Sequence, residues 1–379
     1  MIPKTSDEVL RQTIQVYDEE GHNQTAAARR LGITRSSLQN RLERATQRGI
    51  VPLYAAQGLP PGMVATGAST LVDPATGEQK LQWVKTKLEL SQTAIIEGLE
   101  QVLADYKGKS VPVKSPPLVV QDLATFYIVS DHHLGMYAWK KETGADYDVE
   151  IGKHILQETA GKLIDQTPPS EVAVVLNLGD FFHSDSNENR TRRSGNALDV
   201  DTRFQNVLNV GVYLLIDVIE KVKAKHRHVI VRNNIGNHDP YGTLALAMAL
   251  KTFYSNDPRV TVDDSPNPLW FWEFGKVMVG STHGDMIKHT DMPGVMATKA
   301  ASMWGRTEHR YIYLGHVHHR SIGGGEKVGA VWETFRTLAS KDGWHHQSGY
   351  SSGRSMVAIT HHKETGEKYR YTETIEGPK

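Results

Sequence analysis

The feature that most constrains the fold of this chain is a series of five short apolar runs, each followed directly by polar side chains. The runs are Phe126–Val129, Val172–Leu178, Val229–Val231, Lys276–Gly280 and Tyr311–Leu314. Segments near 150–165, 201–224 and 243–254 have helical periodicity, and further β-like segments lie near 330–337 and 355–361. Strands that alternate with helices predict an α/β domain, with a central β-structure and helices outside it.

The polar clusters after these runs supply oxygen and imidazole donors. They are Asp131-His-His133, Gly179-Asp-Phe-Phe-His183, Gly236-Asn-His-Asp239, His283-Gly-Asp285 and Gly315-His-Val-His318. A single Gly-Asp after a strand is usually only a turn, and His-X-His places two histidines on one strand face with or without a metal. Five donor clusters in order, each at the end of a predicted strand, instead indicate one metal site formed by the loops.

The donor types narrow the kind of metal site. The sequence contains no cysteine, which excludes disulfides, thiolate zinc sites and cysteine nucleophiles. Carboxylate, amide and imidazole ligands suit two divalent ions that share a carboxylate. Two such ions, about 3.5–4 Å apart, can generate hydroxide and hold both the attacking and the leaving oxygen of a phosphate ester.

The order Asp-X-His, Gly-Asp, Gly-Asn-His-Asp, His-Gly and Gly-His-X-His resembles the motifs of the calcineurin-like metallophosphoesterases, closely over about 124–320 and loosely to 379. The resemblance implies a β-sandwich flanked by helices over residues 124–379. It implies two metal ions, usually manganese, with magnesium, iron or zinc as alternatives. The implied ligands are Asp131, His133 and His318 for the first ion, Asn237, His283 and His316 for the second, and Asp180 as the bridge between them.

The same resemblance implies catalytic residues beside the ligands. His238 would bind no metal and would protonate the leaving oxygen, with Asp239 orienting it. The second motif, Gly-Asp-Phe-Phe-His, is similar to the Gly-Asp-Leu-Phe-His of SbcD-type DNA repair nucleases, in which the last histidine, here His183, supports the catalytic one. The alternative is that His183 is a hydrogen-bonded residue behind the ligands.

The N-terminal residues form a different module, which is small and helical. Helices are predicted over Ser6–Glu20, over Gln24–Leu31, and after the N-cap Thr34. Residues 23–42 resemble a Fis-type helix-turn-helix, which implies a small all-α DNA-binding domain over residues 1–50.

Local charge favours DNA as the partner of this module. Residues 25–50 contain six arginines and one acid, which the balanced total of 43 basic and 43 acidic residues conceals. A three-helix packing module with a solvated basic face is the alternative, and because one module binds weakly, a homodimer or a second DNA contact is expected. The candidate contacts to bases and phosphates are Thr34, Arg35, Ser36, Gln39, Asn40, Arg41 and Arg44.

Residues 51–123 are predicted to contain a linker, a hairpin and a helix. The glycines and prolines between 49 and 67 indicate the linker, and the turn-rich segment 70–78 followed by Leu81–Val84 indicates the hairpin. Lys87–Tyr106 has the apolar spacing of a helix, which would dock on another domain or dimerise. Three prolines between 108 and 117 mark the next boundary.

The leading hypothesis is a DNA-targeted two-metal phosphodiesterase, a nuclease whose nucleophile is metal-bound hydroxide. The alternatives are a phosphoesterase acting on a small phosphoester, such as a cyclic nucleotide, or on a phosphoprotein, and a DNA-binding regulator with a non-catalytic metal domain. No window approaches 18 consecutive apolar residues and the N-terminus lacks the form of a signal peptide, so a cytoplasmic location without membrane contact is expected. No Gly-X-X-X-X-Gly-Lys loop occurs, so any ATP requirement would need a partner ATPase.

Overall fold

The computed structural model describes residues 5–20, 23–47, 63–72, 79–88, 107–191, 195–341 and 352–375. By contact density the chain divides into two compact units, Met1–Glu100 and Gln101–Lys379. No helix in these described ranges is both long and apolar enough to span a membrane.

The first unit begins with three short helices, α1 (Asp7–Glu19), α2 (Gln24–Arg30) and α3 (Arg35–Gln47), at the positions predicted. A polar side chain caps the start of each helix: Ser6 accepts from the amide of Val9, Asn23 from two amides of α2, and Thr34 from the amide of Ser37. Between α2 and α3 the chain turns at Gly32, whose φ of 65° lies in the left-handed region. The buried apolar side chains of the small core are those of Leu10, Ile14, Ala27, Ala28, Leu38 and Ala45.

A two-stranded antiparallel hairpin, β1 (Met63–Val72) and β2 (Gln79–Leu88), follows in the first unit where a hairpin was predicted. It begins earlier than expected, because residues 63–67, predicted as the end of the linker, already pair with β2. The predicted helix at Lys87–Tyr106 starts too early, because Lys87 pairs with Val64 and Leu88 with Met63 at the end of β2. The alternating pattern of β2 continues through these two residues, and a facing strand is present to pair with them. The remainder of that predicted helix, residues 89–106, lies outside the described residues.

The second unit contains two sheets. The six-stranded sheet has the order β13-β12-β3-β4-β5-β6, in which β3 to β6 are parallel and β12 is antiparallel to both neighbours. Its strands are β3 (Val120–Val129), β4 (Ser170–Asn177), β5 (His228–Asn233), β6 (Val260–Asp263), β12 (Arg354–His362) and β13 (Gly366–Ile375). The five-stranded sheet has the order β10-β11-β9-β8-β7, with β8, β9 and β11 parallel. Its strands are β7 (Trp270–Phe274), β8 (Val277–Thr282), β9 (His309–Leu314), β10 (Ser321–Gly325) and β11 (Ala330–Thr334).

Six helices occur in the described part of this unit. They are α4 (Lys140–Thr143), α5 (Val149–Gln166), α6 (Phe204–Lys225), α7 (Pro240–Phe253), α8 (Met292–Lys299) and α9 (Ala301–Arg306). Alternate residues of β3 serve two different cores, as the pleat of a strand requires. Phe126 and Ile128 pack between the two sheets against Val277 and Val279, whereas Tyr127 and Val129 belong to the core under α5, α6 and α7.

A third core lies on the outer face of the five-stranded sheet, where Met278 and Ile312 pack against Met292 and Met296 of α8. The layers are therefore helices, sheet, sheet and helices. This architecture confirms the predicted α/β fold, a β-sandwich flanked by helices with a small helical module at the N-terminus.

Candidate functional site

The five polar clusters meet where the parallel strands of both sheets end. Asp131 follows β3, Asp180 follows β4 and Asn237 follows β5 of the six-stranded sheet, while His283 follows β8 and His316 and His318 follow β9 of the other sheet. The carboxyl ends of parallel strands share one edge of a sheet, which is why donors far apart in sequence converge there. The structure thus brings together all seven residues that the resemblance implied as metal ligands.

Backbone strain is concentrated at this site. Among the described residues, six that are not glycine have a positive φ, and five of these are proposed ligands: Asp131 (46°), His133 (47°), Asp180 (51°), His316 (67°) and His318 (57°). Such conformations cost about 1–3 kcal/mol each and persist only where the surrounding structure holds them. The strained backbone therefore lowers the stability of the fold, and it directs these side chains toward one point.

The first donor group consists of Asp131, His133 and His318, whose ligand atoms lie within 4.8 Å of one another. The Nε2 atoms of His133 and His318 are 3.1 Å apart, and His318 Nε2 is 3.4 Å from Asp131 Oδ1. The backbone amide of His316 donates to both carboxylate oxygens of Asp131, at 2.9 and 3.1 Å, and the Ser130 hydroxyl donates to the same carboxylate. Asp131 is therefore fixed before any ion binds.

The second donor group consists of Asp180, His283 and His316, again with ligand atoms within 4.8 Å. His283 Nε2 lies 3.2 Å from Asp180 Oδ2 and 3.0 Å from Asn237 Oδ1. The other ring nitrogen of His283 donates to the carbonyl of Leu178 at 3.0 Å, which sets the ring so that Nε2 faces the donors. His316 completes the group with its ring centroid 5.0 Å from that of His283.

The two buried carboxylates of the site are paired with charged histidines. Burial opposes ionisation, but the charge of His318 outweighs it and lowers the pKa of Asp131, and the charges of His283 and His238 hold the pKa of Asp180 well below its ordinary value. Burial lowers the pKa of His283, but the charge of Asp180 and its hydrogen bond raise it to about 10. Burial and the charge of His238 keep the pKa of His133 well below its ordinary value, so this imidazole is neutral.

This donor set fits two divalent cations. It offers two carboxylates, one amide oxygen and four imidazoles, a mixture that suits borderline metals and contains no thiolate. Asp180 interacts electrostatically with Asp131 and His133 of the first group, besides its contact with His283 of the second. Its place between the groups is the one that a bridging carboxylate requires.

His238 lies beside both groups and is held by backbone contacts. Its amide donates to Asp180 Oδ1 at 2.8 Å, and its ring Nδ1 is 2.8 Å from the carbonyl oxygen of His183. With Nδ1 engaged in this way, Nε2 is left for chemistry. The ring centroid lies 4.8 Å from that of His133, a proposed ligand.

The carboxylate of Asp239, which was expected to orient His238, is engaged by backbone amides. It accepts from the backbone amides of Asp180 and Gly236, both at 3.2 Å, and of Phe182, at 3.0 Å. A carboxylate with three amide donors ties together the loops after β4 and β5, so Asp239 is a structural clamp. The group that orients His238 is the carbonyl of His183.

The side chain of His183 also belongs to the site. Its Nδ1 is 3.3 Å from Nδ1 of His133, and its ring stacks on that of His238 with centroids 5.3 Å apart. His183 thus contacts both His133, a proposed ligand, and His238, the proposed acid. Support of the catalytic histidine and a position behind the ligands, the two roles considered for His183, are therefore compatible.

Two positioning residues were not anticipated from the sequence. The hydroxyl of Thr337 donates to the carbonyl of Asp131 at 2.6 Å, and Ser130 supports the carboxylate of the same residue. Neither residue belongs to a donor motif, and Thr337 is far from Asp131 in sequence. A serine directly before the first motif was the one available signal.

In the helix-turn-helix, six of the seven candidate DNA contacts are exposed, and Arg41 is half-buried. The Thr34 hydroxyl accepts from the amide of Ser37 and donates to its side chain at 2.8 Å, so it serves as a cap. Arg35 donates to Gln24 at 3.1 Å, and Arg44 to Thr5 at 3.2 Å. Arg30 pairs with Glu19 and Glu20 of α1, which removes one arginine from the free positive charge.

Comparison with known proteins gives a match for the N-terminal module. The profile of the Fis family of bacterial regulatory proteins matches residues 8–44, which confirms the helix-turn-helix. No curated protein sequence matches the chain.

Several solved structures are similar to the chain at low identity. A predicted phosphoesterase from Streptococcus pneumoniae has 11% identity and a TM-score of 0.26, and the match covers 68% of this chain and 100% of that one. A dimetal phosphatase from Danio rerio has 10% identity and a TM-score of 0.34, covering 66% and 98%. A 5′-nucleotidase precursor from Thermus thermophilus has 10% identity and a TM-score of 0.32, covering 67% of this chain and 54% of that one.

Proposed function

We propose that this chain is a two-metal phosphodiesterase that acts on DNA. The observation that carries the proposal is the pairing of two donor groups, joined by Asp180, with a histidine that sits beside them and is held through Nδ1. A purely structural metal site has no use for such a histidine, whereas hydrolysis of a phosphoester needs a proton for the leaving oxygen.

The residues divide the work of hydrolysis. Asp131, His133 and His318 would hold one divalent ion, and Asn237, His283 and His316 the other, with Asp180 between them. When bound, such a pair supplies a hydroxide nucleophile and neutralises charge on the phosphate. His238 is placed to deliver a proton from Nε2 to the leaving oxygen, and the carbonyl of His183 holds its ring in that orientation. His183, Asp239 and Thr337 keep the loops in register.

DNA is the proposed substrate because the same chain carries a Fis-type helix-turn-helix. Its helix α3 presents exposed Arg35, Gln39 and Asn40, side chains that contact phosphates and base edges in the major groove. A DNA-binding domain attached to a hydrolytic domain raises the local concentration of DNA phosphates near the metal site.

The decisive experiment compares substrates for the full chain with each of Mn²⁺, Mg²⁺, Fe²⁺ and Zn²⁺. Labelled duplex DNA, single-stranded DNA, a cyclic dinucleotide and a phosphopeptide are offered in parallel. Cleavage of DNA, strictly dependent on added metal, is expected. Cleavage of only the cyclic dinucleotide or the phosphopeptide would keep the chemistry and replace the substrate, and no cleavage with any metal would leave a DNA-binding regulator.

A single variant tests the assignment of the acid. His238→Ala should bind both metals with unchanged stoichiometry, measured by metal analysis of the dialysed protein, and lose about 10²–10⁴-fold in kcat. The loss should be smaller on a diester with a p-nitrophenolate leaving group, which departs without a proton. Equal losses on the activated diester and on DNA would contradict the role of His238 as acid.

A further inference from the structure

Beside the first donor group lies a pocket that the hydrolytic mechanism does not use. It is lined by His318, by the hydroxyl residues Thr337, Ser340 and Ser352, and by the cations Lys341 and Arg354. Among the described residues, no acidic side chain lines it. The two cations and the hydroxyls of Ser340 and Ser352 are groups that can donate to an anion, whereas the Thr337 hydroxyl already donates to the backbone.

The pocket is joined to the metal site by the backbone. Thr337, in its wall, donates its hydroxyl to the carbonyl of the proposed ligand Asp131 at 2.6 Å, and the amide of Leu338 donates to the carbonyl of Ser130. Strand β12 begins at Arg354 and pairs antiparallel with β3, with Val357 opposite Ile128. His318, a proposed ligand of the first donor group, lies in the wall of the same pocket as Arg354. An anion in the pocket would therefore be an immediate neighbour of a phosphate at the metals.

The two cations of the pocket have no partner among the described residues. In the part of the chain that the structure describes, neither Arg354 nor Lys341 makes a hydrogen bond or an ion pair. Arg354 is half-buried, and burial lowers the pKa of its guanidinium. The side chain nevertheless stays charged at neutral pH, as arginine does in proteins. The group that counters this burial is Tyr147, whose phenol is itself kept neutral because burial raises its pKa. A partly buried cation without a counter-charge is costly, and a ligand anion would relieve that cost.

We propose that Arg354 and Lys341 bind the phosphate next to the scissile one, so that the site is selective for a chain of phosphodiesters over an isolated phosphoester. The inference rests on the proposed function, because it names the substrate class of the same metal site. Arginine suits the task, since its planar guanidinium can donate two parallel hydrogen bonds to one phosphate.

The test uses thymidine oligonucleotides with one, two and three phosphodiester linkages. For the unmodified chain, kcat/KM should rise about 10- to 100-fold when a second linkage is added, the factor that a charged hydrogen bond supplies. Arg354→Ala should lose that increase while it cleaves the single-linkage dinucleotide at the unmodified rate. Arg354→Lys keeps the positive charge but lacks the planar guanidinium, so it should recover part of the increase in kcat/KM.

Chemistry at the neighbouring linkage gives the complementary test. Replacing that phosphate with an uncharged methylphosphonate should lower kcat/KM of the unmodified chain by about the same factor. The same replacement should leave kcat/KM of Arg354→Ala unchanged. Arg306→Ala is the matched control, because Arg306 is exposed, pairs with Glu273 and lies on α9 outside the pocket. The inference is overturned if Arg354→Ala slows the dinucleotide as much as the longer substrates, or if it keeps the full increase.

Binding separates failure of this inference from failure of the proposed function. In EDTA, where no metal-dependent cleavage occurs, fluorescence anisotropy of labelled (dT)₆ should show about tenfold weaker binding for Arg354→Ala, with a salt slope lower by about one phosphate contact. If the chain cleaves no phosphodiester yet shows this difference, the anion site stands and the hydrolytic function falls. If binding is unchanged by the substitution, the inference falls whatever the activity.

Discussion

At the scale of single residues, Gly236 shows how tightly the site is assembled. A Cβ atom there would overlap the carboxylate and the amide nitrogen of Asp180 and would lie 2.7 Å from Asp239 Oδ1. Gly236→Ala should therefore displace Asp180, the proposed bridge, and abolish stoichiometric metal binding, as measured by titration calorimetry with Mn²⁺. Unfolding followed by circular dichroism should show destabilisation of about 1–3 kcal/mol, in the range of an overpacked core site.

Gly161 supplies the control for that substitution. It lies within α5, and no atom comes within 4 Å of the position of an added Cβ. Gly161→Ala should leave metal binding intact and stabilise the protein by about 0.5–1 kcal/mol, because alanine loses less entropy in a helix. Normal metal binding by Gly236→Ala would show that the loops after β4 and β5 can move apart, contrary to the close contacts described above.

Sequence predicts the donors of the site better than their supports. Each proposed ligand stands in a short motif directly after a strand, so its type and approximate place can be read from the chain. The bond from Thr337 to Asp131 joins segments whose proximity depends on the docking of two sheets, and no local pattern encodes it. The contacts of Asp239 could not be predicted for a related reason, because adjacency to His238 in sequence does not determine which backbone amides its carboxylate meets.

At the scale of elements, helix α3 and its neighbours carry the prediction for DNA. Arg35 is exposed at the start of α3, whereas Arg30 is held in two ion pairs with α1, at 2.7 and 2.8 Å. Arg35→Ala should weaken duplex binding and reduce the slope of log affinity against log salt by about one. Anisotropy titrations at several salt concentrations measure both quantities.

Arg30→Ala is the matched arginine variant for this comparison. Because the Arg30 charge is already compensated by Glu19 and Glu20, its removal should change the salt slope little. Equal effects of the two substitutions would mean that DNA contacts the face of α2 as well, so that α3 would not be the sole reading element.

Three of the strands that the sequence did not predict share a physical cause. β6 has four residues, β10 has the sequence Ser-Ile-Gly-Gly-Gly, and β13 lies at the edge of its sheet with mostly polar side chains. Such strands lack an apolar run because they bury little, and they are defined by pairing with a neighbour. The central strands β3, β4, β5, β8 and β9 are apolar on both faces between layers, and the sequence predicts each of them.

At the scale of the whole molecule, the layered packing buries histidines that take no part in the site. Burial lowers the pKa of His226 to about 3, with a smaller effect of the charge of Lys225, and lowers the pKa of His361 to about 3. His226 accepts from the amide of Ser170 at Nδ1 and faces the Tyr127 hydroxyl with Nε2, at 2.8 Å. Both contacts suit a neutral ring with its proton on Nε2.

These two rings predict how stability depends on pH. Between pH 6.5 and 3 these two histidines bind protons in the unfolded chain but not in the folded protein. The free energy of unfolding therefore decreases as the pH falls below about 6.5. At pH 5 each of the two histidines should lower the free energy of unfolding by about 2 kcal/mol relative to pH 7. Urea unfolding followed by tryptophan fluorescence at pH 7, 6 and 5 tests this, with His226→Gln expected to reduce the loss between pH 7 and 5. An unchanged loss would show that His226 does not remain neutral in the folded protein.

The distribution of ligands over both sheets has a consequence for the synthesis of the protein. Asp131 and Asp180 emerge early from the ribosome, but His316 and His318 come after β9, and Thr337 and Arg354 come later still. A nascent or half-folded chain therefore has carboxylates but no closed pair of ion sites. If the proposed function holds, hydrolytic capacity arises only when the second sheet docks, so an unfinished copy of the chain should not cleave DNA.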